Sequence, residues 1–222
     1  MMLTSLTAGV VVTSPDGRLV AEVSVDDGVP HYQVMYDGQT AIAESSLGVV
    51  TNVGDYTRSM AISDEGEEKQ ITSVDNQEKI KQHYIHTDAR ERVITFTQDD
   101  KPVMALQLRV SNKDVAFRYM LMPHRGANSC VVTSENTAYR VADNALTFMA
   151  PQSKPMTGLA RTAPSYETKY SLGEPVGRNG WGFGYTFPCL FEVPNADADK
   201  ALWIMLSETG TDGGYVGCRL LG

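Results

Sequence analysis

The chain has 222 residues, 42% of them hydrophobic and 21% charged, a globular composition long enough to bury a core. Its 19 Lys and Arg against 27 Asp and Glu leave a formal net charge of −8, with a pI near 5.0. That acidity excludes nucleic acid and an anionic membrane surface as main partners. No apolar stretch approaches the roughly 18 residues of a membrane span.

Met1 to Val12 (MMLTSLTAGVVV) is mildly apolar but carries no Lys or Arg, so it lacks the charged start of a signal peptide. It reads as a first strand or as the tail of a trimmed leader. Leu19, Ala21, Val23 and Val25 then alternate on one strand face until Asp26-Asp27-Gly28 breaks it. His31 to Tyr36 is a second strand, closed by the hairpin pair Asp37-Gly38. Residues 64–83 are polar and charged, and they predict a solvated loop or an exposed strand pair. Arg92 to Thr97 alternates again and runs into a predicted turn, Asp99-Asp100-Lys101-Pro102. Met104 to Val110 and Val115 to Leu121 flank the turn Ser111-Asn112-Lys113-Asp114. Residues 151–185, with 4 of the 10 prolines and many glycines, form a long irregular excursion of the kind that often carries function. Phe187 to Val193 and Ala201 to Leu206 close the series as strands. Helical signals are nearly absent, and the spacing of many short strands predicts an all-β sandwich with few or no long helices, as one domain over 1–222.

Motifs with chemistry are sparse. His83 and His86 are 3 apart, which on a strand places them on opposite faces and prevents chelation of one metal. Gly177, Gly180, Gly182 and Gly184 form a glycine-rich run, but the extended stretch Tyr185 to Pro188 follows where a phosphate cradle needs a helix. Asn195, Asp197 and Asp199 alternate as calcium ligands do, yet Lys200 and Leu206 stand where a calcium hand needs Gly and Glu. Cys130, Cys189 and Cys218 allow at most one disulfide. Glu167, flanked by Tyr166 and Tyr170 inside the excursion, is a candidate by position alone.

Several segments are recognisable together. They are Ser14-Pro15-Asp16-Gly17, Tyr36-Asp37-Gly38, Ser46-Leu47-Gly48, and Gln82-His83-Tyr84 where Asn-His-Tyr is usual. Asn112 to Tyr119, Pro164-Ser165-Tyr166-Glu167, Thr186-Phe187-Pro188, Ser207-Glu208 and Asp212 to Tyr215 complete the set. In this order and spacing the chain resembles the N-terminal domain of glycoside hydrolase family 97, the bacterial α-glucosidase and α-galactosidase family. The resemblance implies a β-supersandwich of the galactose mutarotase type, packed on a (β/α)8 barrel that carries the catalytic carboxylates. It implies a calcium ion beside the scissile bond of an α-linked oligosaccharide, with Glu167 at the position of the one glutamate this domain lends to it. The barrel takes about 250 residues, and the strand–helix alternation it needs is absent from this chain. The chain therefore reads as a fragment of a larger glycosidase, inactive alone, with no catalytic residue of its own. The family implies a periplasmic or secreted location. A free-standing carbohydrate-binding module is the alternative, with Tyr166, Tyr170, Trp181, Phe183 and Tyr185 as its stacking candidates. A β domain that serves packing alone is a third reading.

Overall fold

The computed structural model describes residues 9–76, 84–123, 126, 129–152, 170–177, 184–195, 200–210 and 217–221. The chain divides into two compact units, Met1–Arg140 and Val141–Gly222, and the described residues contain 15 strands.

The first unit begins with an antiparallel sheet of β1 (Val10–Thr13), β2 (Leu19–Asp26), β3 (Val29–Tyr36) and β4 (Gln39–Ser46), in that order. The expected alternation is its cause: Leu19, Ala21 and Val23 are buried on β2, and Tyr32 and Val34 lie beside them on β3. The turns are also as expected. Asp27 and Gly28, then Asp37 and Gly38, all take positive φ, the requirement of the two-residue turn whose twist matches the flanking strands. β4 was not anticipated, because a register shift opposite Tyr32 and Val34 buries adjacent Ala41 and Ile42 and so erases its alternation.

A second sheet packs over the first through β1 and β2. It runs in the order β10 (Val115–Leu121), β9 (Lys101–Ser111), β8 (Tyr84–Gln98) and β6 (Ala61–Asp64), and β7 (Lys69–Asn76) also pairs with β8. Its inner face carries Ile94, Phe96, Met104, Leu106 and Leu108, all buried, and Tyr32 of the first sheet meets Phe117 at a ring-centroid separation of 5.4 Å. Asp99 and Asp100 both adopt positive φ and complete the β8–β9 turn by themselves. Lys101 and Pro102 therefore belong to β9 rather than to the turn the sequence suggested. The exposed strand-pair reading of 64–83 agrees with β7, which among the described residues pairs with β8 alone and is exposed from Thr72 to Asp75; residues 77–83 lie outside the described set. The short β5 (Val49–Thr51) pairs with β11 (Val132–Glu135).

The second unit contains one antiparallel sheet, ordered β13 (Glu174–Pro175), β12 (Leu146–Pro151), β14 (Tyr185–Val193) and β15 (Leu202–Leu206). One face buries Met149, Cys189, Phe191, Val193 and Leu206. No disulfide joins Cys130, Cys189 and Cys218, and burial pushes the Cys189 thiol up to about 12. Among the described residues no helix is long and apolar enough to cross a membrane.

Candidate functional site

The excursion that holds Glu167 springs from β12 and returns along it. On the outgoing side, the Gln152 N–H donates to the Gly184 carbonyl at 2.8 Å. On the return, the Ser171 N–H donates to the Met149 carbonyl at 2.9 Å and the Gly173 N–H to the Thr147 carbonyl at 3.0 Å. Two hydroxyls reinforce it: Ser171 Oγ donates to the Met149 carbonyl at 3.0 Å, and Thr147 Oγ1 to the Glu174 carbonyl at 2.9 Å. The loop is thus rooted on a rigid strand, the arrangement that lets a connection present a functional side chain. Glu167 itself lies outside the described residues, three positions before the return at Tyr170.

The glycine-rich run has a backbone cause at its described end. Gly184 has φ +81°, and a Cβ there would stand 2.4 Å from the Leu220 carbonyl oxygen. Tyr185 pairs with Leu220 through both backbone hydrogen bonds, at 2.7 and 3.0 Å, and the chain continues as β14. A strand, not a helix N-terminus, follows the glycines, so no phosphate cradle forms at this end.

The recognisable motifs of the first unit serve the fold. In Ser14-Pro15-Asp16-Gly17, Ser14 Oγ donates to Asp16 Oδ1 at 2.6 Å and accepts from the Leu19 N–H at 3.0 Å. That hydroxyl is the main reason the Asp16 carboxyl sits below its ordinary range. The Asp16 N–H donates to Asn112 Oδ1 at 2.9 Å, which ties the first hairpin to the start of the Asn112 to Tyr119 motif. Arg18 Nε donates to Asp37 Oδ1 at 2.9 Å and its guanidinium lies 4.7 Å from the Tyr36 ring centroid. Gly48 has φ +121°, a Cβ there would meet the Tyr56 carbonyl oxygen at 2.4 Å, and its N–H donates to the Tyr119 hydroxyl. Glu208, in the second unit, accepts from the Cys218 N–H at 2.9 Å.

Of the remaining candidates, His86 is exposed on β8, and His83 lies outside the described residues. Asn195 and Lys200 bracket 196–199, which lie outside them too. Tyr170 is 55% exposed, whereas Tyr185 is 5% exposed and packs into the core, which removes it from the stacking candidates. Tyr166, Trp181 and Phe183 lie outside the described residues. Among the described residues no three His, Cys, Asp or Glu side chains come together as a metal site. The sequence reading missed one feature, the exposed Trp203, whose ring centroid is 5.5 Å from that of Phe148. The signal was present in the alternation of Leu202 to Leu206, which places two large apolar side chains on the face away from Leu206.

These features define an all-β sandwich protein, several of whose described motif residues hold turns in place. Over residues 12–222 it matches the family described as Glycosyl-hydrolase 97 N-terminal, and the chain belongs to that family. The crystal structure of a β-arabinopyranosidase superposes with a TM-score of 0.85 at 38% identity, over 96% of this chain and 33% of that one. A glycoside hydrolase family 97 enzyme from Pseudoalteromonas sp. strain K8 was solved as a variant with panose and in complex with acarbose. Both give TM-scores of 0.67 at 19% identity, over 84% of this chain and 27% of theirs, a likeness of fold. The chain thus spans about a third of the length of the solved structures it matches. No curated protein sequence matches it.

Proposed function

We propose that the chain is the N-terminal domain of a calcium-dependent glycoside hydrolase whose catalytic carboxylates stand on a separate (β/α)8 barrel. Its part is to pack on that barrel as a wall of the active site and to lend the Glu167 carboxylate to a calcium ion beside the scissile bond. The observation that carries this reading is the family match over nearly the whole chain, joined to 38% identity with a β-arabinopyranosidase three times as long as the matched part.

The substrate class is an α-linked oligosaccharide ending in a galacto-configured sugar. A β-L-arabinopyranoside has the ring configuration of an α-D-galactopyranoside without its exocyclic CH2OH. Taken in the L series, the relative's β-arabinopyranosidase activity and an α-galactosidase activity would ask for the same arrangement of ring hydroxyls. Processing of such oligosaccharides fits a periplasmic or secreted protein.

Calcium takes 6–8 oxygen ligands, so a single glutamate cannot retain it. The described residues bring no cluster of three ligating side chains together. A carboxylate such as Glu167 is a suitable hard donor, and the other ligands would come from the catalytic domain. When bound, the ion would polarise a substrate oxygen.

The test uses the uninterrupted gene product and nitrophenyl glycosides of α-galactose, β-L-arabinopyranose and α-glucose. The first two are expected to be cleaved faster than the third. Glu167→Gln should lower kcat/KM and weaken calcium activation together, while the 222-residue chain alone binds calcium weakly. Full activity and unchanged calcium dependence in Glu167→Gln would refute the role of Glu167. If oligosaccharide instead binds tightly to the chain alone and Tyr170→Ala abolishes it, the protein is a carbohydrate-binding module.

A further inference from the structure

We draw no further inference here: the strongest candidate, the ribbon of β7 and the start of β8 with Val74, Tyr84 and Ile85 exposed along it, carries nothing because nothing among the described residues shows what covers it.

Discussion

Removing one hydroxyl from Tyr119 tests the packing of the first unit at a single bond. Tyr119 lies on the inner face of β10, and burial raises its phenol far above the ordinary tyrosine range, so the group is neutral at any working pH. Its oxygen accepts from the Gly48 N–H at 2.9 Å, and it pairs with Thr137 Oγ1 at 2.8 Å. Thr137 in turn donates to Glu135 Oε1 at 2.7 Å, so it retains a partner when the phenol is lost. Gly48 does not. It is buried, and the nearby Tyr56 carbonyl leaves its backbone little room to move toward another acceptor. Tyr119→Phe therefore orphans one buried N–H, at a cost of about 1–3 kcal/mol. With about 2–4 °C per kcal/mol for a chain of this size, the midpoint should fall by about 2–12 °C in thermal unfolding followed by far-ultraviolet circular dichroism. Adding Thr137→Ala to Tyr119→Phe should cost less than Thr137→Ala costs in the wild type, because the two hydroxyls share one bond. A midpoint within about 1 °C of wild type would refute the reasoning, since the Gly48 N–H would then be satisfied without the phenol.

Three further outcomes follow from the same structure. Gly48→Ala forces a Cβ against the Tyr56 carbonyl at φ +121° and should cost about 3 kcal/mol or more, read as a lowered urea midpoint with unchanged slope. Burial works to raise the Glu91 carboxyl, but hydrogen bonds from Gln107 and Arg109, the latter at 2.7 and 2.9 Å, outweigh it and hold the group below its ordinary 4.5. A depressed folded value means that this pair stabilises the protein above pH 4.5, and the contribution is lost as pH falls through the folded value. Glu91→Gln should therefore flatten the acid limb of stability against pH; an unaltered limb would show that the pair contributes nothing. Iodoacetamide at pH 8 should label Cys130 and Cys218 well before buried Cys189, whose labelling should track unfolding; equal rates by mass spectrometry would contradict the burial of that thiol.

The sequence by itself determined the elements whose cause is local. Alternation at Leu19 to Val25 and His31 to Tyr36 defined strands because one face of each is buried. Asp27-Gly28 and Asp37-Gly38 defined hairpins because few other pairs tolerate two positive φ values. The order of short motifs also carried the family, although several of those among the described residues, Ser14 to Gly17 and Tyr36 to Gly38 among them, turned out to hold turns. Only the tertiary structure decided what depends on distant partners. A register shift across from β3 hid β4, and the Asn112 side chain gained its meaning from Asp16, 96 positions away. The assembly of one continuous apolar face from β12, β14 and β15 was equally illegible. Phe148, Leu190 and Trp203 stand in separate segments, and only cross-strand register sets them side by side on the face away from the core.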